Sequence, residues 1–451
     1  MDISTTKGLY EGLPFPQRNP DEEAYRLISP PPDHLAKINH HCFQGTNDFT
    51  GNFHALVAGG GTGDAVIYLA EQLSRRGNGK VTYLDQSVAS MEIAQRRAEN
   101  RKLSNIEWRN GSILDITSED PTKFDYINCV GVIHHLKNPI DGLKAISSVL
   151  KETGVICLML YGRYGRQDIS AARDLFQTYM KATTHKDIIS DAKTILSSFS
   201  PFNSYMRGRD RQYVLSNLFE DLPNLADIFL NPVEHTYSAE EFGILVEDIA
   251  GLRIKRFTSY DGAPAIANLQ YNPSLMVANA SVRTKFDTLS KRERWKIAEI
   301  MDGSMHLHCA YVSKNEVLEA DFTDNRMIPF YPTKQHFQVV TILCLNSANQ
   351  LGIGLSNGAR FPLSITESTA RFLKKVNNQK TIQEILLEIQ FKKEDTVDVL
   401  RDLRFLAELE WICLRSRNVQ PFLEIDNGSA LDGISEKENT VAYEHPTFHK
   451  M

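Results

Sequence analysis

What the chain lacks narrows its class first. No stretch approaches the ~18 continuous apolar residues of a membrane-spanning helix, and the opening MDISTTKGLYEGLPFPQ has no basic segment followed by an apolar one. Neither a spanning segment nor an export signal is therefore expected. The six cysteines (Cys42, Cys129, Cys157, Cys309, Cys344 and Cys413) form no CxxC pair. That removes the usual spacing of a zinc site or a redox dithiol and leaves buried thiols in a reducing cytoplasm. There is no Lys/Arg-rich block: 50 Lys+Arg face 56 Asp+Glu, a net charge of −6, so no basic footprint for nucleic acid or anionic lipid is present. No repeat of fixed period is evident. What remains is an ordinary globular composition, 451 residues with 42% hydrophobic and 24% charged. At roughly 100–200 residues per domain, that is material for two or three domains.

Residues 1–53 are rich in proline and polar residues and read as an N-terminal extended arm with one short helix. From His54 the texture changes. HALVAG, KVTYLD, IEWRNG, FDYINCVG and GVICLMLYG are short apolar or β-rich runs, and amphipathic helical patterns such as DAVIYLAEQLSRR, SVASMEIAQRRAENRKL and PIDGLKAISSVLKE lie between them. This alternation predicts βαβ units and a parallel sheet covered on both faces, an α/β fold. The alternation stops at about 166–235, which reads as a helical insertion, and resumes with the strands GLRIKRFTSY and HLHCAYVSK. A Rossmann-like, seven-stranded domain is thus expected over 54–315, followed by a linker at 316–357. TESTARFLKKV, TIQEILLEI and EDTVDVLRDLRFLAELE, closed by the β-prone WICLRS, predict a small winged-helix-like α+β module over 358–423. The polar stretch 424–451 reads as a disordered tail.

The segment that carries chemistry is Leu56-Val57-Ala58-Gly59-Gly60-Gly61-Thr62-Gly63, a strand running into a glycine loop that opens a helix. Glycines let the backbone approach a ligand that a Cβ would exclude. Asp85 ends the next strand, 22 residues beyond Gly63, where a carboxylate can accept the two hydroxyls of a ribose. A tight turn is the plain alternative for such a loop taken alone, and the strand context with the spaced acid argues against it. A dinucleotide needs GxGxxG. Counting from Gly59 the third glycine falls on Asp64, and from Gly61 on Val66. Asp64 would also set a negative charge where a pyrophosphate seeks the helix N-terminus. A nucleoside cofactor without phosphates suits the loop better.

These residues resemble class I S-adenosylmethionine-dependent methyltransferases. Gly59, Gly61 and Gly63 look like the loop beneath the cofactor's methionine part, and Asp85, with Gln86 beside it, like the ribose site. Asn110-Gly111-Ser112-Ile113 matches the loop that brackets the adenine. Phe124 through Leu136, with Cys129 inside it and the pair His134-His135 near its end, is similar to the strand-four motif. The resemblance implies S-adenosylmethionine as cofactor, contacts from Gly59, Gly61, Gly63, Asp85, Gln86, Ser112, Ile113 and Cys129, and no metal. Two positions depart from the pattern. Val57 stands where an acid is frequent, so the methionine ammonium needs another partner, and Ser112 replaces a frequent adenine-contacting Asp. A looser resemblance, through LYGRYGRQDISAARDLF, NPVEHTYSAEEF and the terminal module, is to a bacterial group of large methyltransferases. That group includes protein lysine methyltransferases and tetratricopeptide-linked relatives.

Methyl transfer needs an in-line approach, exclusion of water and a deprotonated acceptor. Residues just past strands four and five, and on or after the insertion, are the candidates. His134, Tyr161, Glu234 and His235 are the catalytic candidates, and His135, Arg163, Tyr164 and Tyr237 the acceptor-binding ones. Of the two histidines, His134 is expected nearer the cofactor; a capped structural pair is the alternative. Tyr161-Gly162-Arg163-Tyr164 leaves the carboxyl end of strand five, where two aromatics could shape a slot for an amine, against the alternative of a surface turn. Glu234-His235 could remove a proton from an ammonium acceptor, or form a salt-bridged loop pair. His306 and His308 share one strand face and Cys309 the other, an arrangement poorly suited to a metal. Lys374-Lys375 and Lys392-Lys393 lie near Glu367 and Glu394-Asp395 and read as solvated faces. The expected activity is cytoplasmic methylation of a nucleophilic acceptor, first a protein lysine. The alternatives are a small-molecule methyltransferase and a non-catalytic cofactor-binding regulator acting through the C-terminal module. The expected partners are that acceptor and a second copy of the chain as a homodimer, with neither membrane nor nucleic acid.

Overall fold

The computed structural model describes residues 4–182, 187–260, 267–316, 318–346, 349–354 and 360–422. The apolar runs become strands β1 (His54–Ala58), β2 (Lys80–Asp85), β3 (Ile106–Asn110), β4 (Phe124–Val130), β5 (Leu150–Gly162), β6 (Thr236–Tyr237), β7 (Arg253–Phe257) and β8 (Leu307–Ser313). They form one sheet in the order β3-β2-β1-β4-β5-β8-β7, with the two-residue β6 added to β5. The strands β3, β2, β1, β4 and β5 pair in parallel, and β8 runs antiparallel between β5 and β7. Both faces are covered. Along β5 the side chains divide by parity: Val155, Cys157, Met159 and Tyr161 enter one apolar cluster, and Ile156, Leu158 and Leu160 the other. Extended backbone sends alternate residues to opposite faces.

Residues 1–53, expected to be an extended arm with one helix, do more. They carry α1 (Thr6–Gly12) and α2 (Leu35–Cys42), and Leu27, Leu35, Ile38, Phe49 and Phe53 are buried in the cluster under one face of the sheet. Apolar residues spaced through a proline-rich segment are a covering layer, with the prolines placed in turns. Helices α3 (Asp64–Ser74), α4 (Val88–Asn100) and α5 (Pro139–Ser148) connect the parallel strands. The fully buried Arg97 of α4 pins the arm: its guanidinium meets Glu23 at 2.5 Å and Asp64 at 2.7 Å, while Arg18 meets Asp64 at 2.6 Å.

The insertion after β5 is helical, with α6 (Gln167–Ala182), α7 (Ile188–Ser197), α8 (Arg211–Glu220) and α9 (Leu222–Leu230). These helices share a separate apolar cluster that includes Phe176, Tyr205 and Phe229, and Leu9 of α1 is inserted into it. The arm thus joins the insertion to the sheet.

The stretch expected as a linker at 316–357 contains β9 (Ile328–Phe330), the helix Lys334–Leu345 and β10 (Gln350–Gly354). Met327, Val340 and Leu343 from it pack with Phe372, Leu403 and Trp411, so it contributes core to the C-terminal module. That module adds β11 (Arg360–Ser364), three helices (Glu367–Leu373, Ile382–Glu388 and Thr396–Glu408) and β12 (Cys413–Arg415), with β12 antiparallel to β9 and β11 to β10. A buried ion pair, Lys37 Nζ to Glu410 Oε2 at 2.8 Å, ties the module to α2. The expected tail at 424–451 lies outside the described residues. All six cysteines are buried, and no helix among the described residues is long and apolar enough to cross a membrane.

Candidate active site

The carboxyl ends of β1, β2 and β4 open onto a cleft of about 1340 Å³, part of it open to solvent. Parallel sheets present such an edge because every strand ends on the same side there. The glycine loop forms its floor. Gly59 and Gly60 both donate their N–H to Leu84 O, and Tyr83 Oη donates to Gly61 O at 2.7 Å. A Cβ on Gly60 would lie 2.2 Å from the Tyr83 ring, and one on Gly61, whose φ is +49°, 2.6 Å from Phe15 O. The close approach at Gly61 comes from the N-terminal arm, which crosses the loop: Thr62 N–H donates to Phe15 O at 3.2 Å, and Thr62 Oγ1 to Pro16 O at 2.7 Å.

Asp85 sits on the cleft wall at the end of β2. Its Oδ2 accepts the Gly61 N–H and its Oδ1 the Ser87 N–H, each at 2.8 Å. Burial raises its pKa against the lowering effect of those N–H groups. Gln86, Ser112 and Ile113 line the cleft beside it. Ser112 is committed locally: its N–H donates to Asp115 Oδ2 at 2.9 Å and its hydroxyl oxygen accepts from Leu114 N at 3.2 Å, leaving the hydroxyl proton to donate elsewhere. Val57 also lines the cleft, near Asp33 of the arm.

Asp227 of α9 reaches the wall from the insertion. Its Oδ1 accepts from Tyr10 Oη at 2.5 Å and its Oδ2 from Tyr161 Oη at 3.1 Å. Burial, and then Asp227, hold both phenols well above their ordinary pKa. His135 Nε2 lies 3.8 Å from Asp227 Oδ1. Its Nδ1 is 2.7 Å from Val233 O. A carbonyl only accepts, so Nδ1 carries the proton and Nε2 keeps a free lone pair. Burial lowers the His135 pKa, and Asp227 opposes that shift.

Several residues expected at the site are elsewhere. His135, rather than His134, is on the cleft wall; His134 is buried behind it, its ring tilted against Tyr161 with centroids 4.0 Å apart. Cys129 points into the opposite core cluster because its neighbours Asn128 and Val130 take the cleft side of β4. Glu234 is drawn away from the cleft by buried arginines, Arg166 at 3.2 Å and Arg173 at 3.4 Å. His235 Nε2 is 3.0 Å from Leu136 O. Arg163 is exposed and paired with Glu241 at 2.7 Å, and Tyr164 and Tyr237 also lie off the wall. Gly162 sits where a Cβ would meet Met305 O at 2.3 Å, so the turn after β5 packs on the segment leading into β8 and forms no slot. His308 is held by Tyr271 Oη at 2.7 Å and Glu299 at 3.2 Å. The motifs did not point to Tyr10, Phe15, Asp33 and Asp227, since none belongs to the βαβ units that carry the glycine loop and Asp85. The aromatic and acidic residues scattered through the arm were the available signal.

A family model described as a methyltransferase domain matches residues 56–156. This segment is a class I S-adenosylmethionine-dependent methyltransferase domain. An uncharacterized protein from Synechococcus is 26% identical over 326 residues, 70% of this chain and 73% of that one. Ubiquinone biosynthesis O-methyltransferase of Acinetobacter baylyi is 29% identical over 86 residues, 19% of this chain, so this chain spans only 36% of that relative's length. Among solved structures, PKMT2 from Rickettsia typhi in complex with AdoHcy matches with a TM-score of 0.54 at 14% identity, covering 87% of this chain and 76% of that one. The methyltransferase fold therefore extends beyond the matched segment to most of the chain. The methyl donor of the domain is S-adenosylmethionine, which supplies an electrophilic methyl group on a sulfonium.

Proposed function

We propose that the chain methylates an amine, and that its acceptor is a protein lysine. The observation that carries this reading is Asp227, a buried carboxylate on the cleft wall framed by Tyr10, Tyr161 and His135. A carboxylate ringed by aromatic side chains is a receptor for a cation, and an ammonium is the cationic form of an amine. Methyl transfer needs the amine deprotonated. The free lone pair of His135 Nε2 stands ready to take that proton, and its lowered pKa keeps it neutral beforehand.

In this reading Asp85 accepts the ribose hydroxyls, Gly59 to Gly63 support the methionine part, and Leu84, Ser112 and Ile113 border the adenine. Asp85 retains lone pairs after accepting two N–H groups, so it can hold a diol as well. A protein acceptor is supported by the insertion and the C-terminal module, which supply surface beyond what a small metabolite needs. The likeness to PKMT2 over 87% of the chain is in keeping with this.

The test is labelled S-adenosylmethionine added to the full chain with a bacterial lysate, separated into protein and small-molecule fractions, with mass spectrometry of any labelled protein. Label on lysine side chains is the expected result. Label confined to small amines, acids or phenols overturns the lysine reading, and cofactor binding with no label in either fraction overturns the catalytic one.

A further inference from the structure

Asp33 is a buried acid on the cleft wall with no assigned role. It belongs to the arm, far in sequence from the glycine loop, and its residue exposure is 0%. Both carboxylate oxygens lie 2.9 Å from Asn128 Nδ2, and Tyr126 Oη donates to Oδ1 at 2.7 Å. Its backbone carbonyl accepts from Gln72 Nε2 at 2.9 Å. Every one of these donors is neutral. Among the described residues no Lys, Arg or His neutralises the carboxylate, and burial pushes its pKa up to about 6.

The other acids of the cleft wall are already engaged. Asp64 is taken by Arg18 and Arg97. Asp85 is at the β2 end, bonded to Gly61 and Ser87, and Asp227 holds two phenols beside His135. Asp33 is next to Asn128, which pairs in register with Val57, the apolar residue two positions before Gly59. A buried carboxylate without a counter-ion is costly to the fold unless a ligand supplies the cation.

We infer that Asp33 is the anionic anchor for the ammonium group of the methyl donor's methionine part, supplied by the N-terminal arm in place of an acid on β1. The inference rests on S-adenosylmethionine being the donor. Asn128 and Tyr126 orient the carboxylate, and Asp33 borders the cleft. Cofactor binding then requires the arm to be seated, so arm and glycine loop act as one binding unit.

The test compares two ligands by calorimetry on the full chain: S-adenosylhomocysteine, which carries the ammonium, and 5′-methylthioadenosine, which shares the nucleoside but lacks the amino-acid part. Asp33→Asn keeps the side-chain shape and removes the charge. It is expected to weaken S-adenosylhomocysteine by about tenfold to a hundredfold, the worth of a charged hydrogen bond, and to leave methylthioadenosine within a factor of about three. Equal losses for both ligands, or no loss for either, overturn the inference and leave the cofactor reading standing. A wild-type chain that binds neither ligand overturns both. Asp33→Ser replaces Asp33→Asn where the latter does not fold, with the same expected split.

Discussion

Asp85 Oδ2 accepts the backbone N–H of Gly61 at 2.8 Å. One carboxylate therefore ties the end of β2 to the glycine loop while presenting its remaining lone pairs to the cleft. Asp85→Ala removes both functions. S-adenosylhomocysteine and methylthioadenosine should both lose about tenfold to a hundredfold in affinity, since both carry the ribose. Calorimetry with the two ligands checks this, and a loss restricted to one of them contradicts the ribose assignment.

Arg97 holds the arm to the domain through Glu23 and Asp64, and donates to Thr62 O at 2.8 Å. Arg97→Ala leaves the buried Glu23 and the part-buried Asp64 short of a partner. The expected cost is about 3–5 kcal/mol of stability, read as the shift in urea unfolding, with proteolysis of the arm at lower denaturant than in the wild type. An unchanged unfolding midpoint would mean that the arm is held by its apolar contacts alone.

In the proposed reading Asp227 and Tyr161 serve the acceptor and Asp85 serves the ribose. Asp227→Asn should cut turnover by at least about tenfold while the affinity for S-adenosylhomocysteine stays within a factor of about three. Tyr161→Phe should do the same to a smaller degree, because only one donor to Asp227 is lost. Single-turnover rates set beside calorimetry separate the two effects, and a matching loss of affinity would relocate Asp227 to the cofactor.

Asp33 gives the cleft a pH dependence. Its pKa is raised by burial from the ordinary 3.8 to about 6, so the folded state holds that proton to higher pH than the unfolded chain. The sign for stability follows: this carboxyl favours the folded state fully below 3.8, and that contribution is lost as pH rises to about 6. Binding runs the other way, because an ammonium needs the ionised form. The neighbours do not confuse the titration. Tyr126, Tyr260 and Tyr311 and the Cys157 thiol are held protonated by burial, and burial lowers His34 to about 3. The affinity ratio of S-adenosylhomocysteine to methylthioadenosine should rise severalfold between about pH 5 and pH 7. Asp85 affects both ligands and cancels in the ratio, so a flat ratio contradicts the assignment.

Much of the catalytic half is written locally. HALVAGGGTG and KVTYLD specify a strand, a glycine loop and an acid within one βαβ unit, and the unbroken apolar run Val155 to Tyr161 marks β5 as a strand buried on both faces. Cys129 was misplaced because the motif marks a stretch of β4 without saying which alternate residues face the cleft. Glu234 looked available as a base because Arg166 and Arg173 are distant in sequence and only the packing of α6 against the turn after α9 brings them to it.

By itself the sequence determined the parallel sheet and the glycine loop that follows its first strand, since each depends on period, spacing and composition within a few tens of residues. Only the tertiary structure decided that a proline-rich arm is a wall of the site, that a stretch read as a linker is module core, and that Asp33 and Asp227 reach the cleft. Those outcomes depend on which distant apolar segments must cover the same sheet face, and burial of that kind is not encoded at any one position.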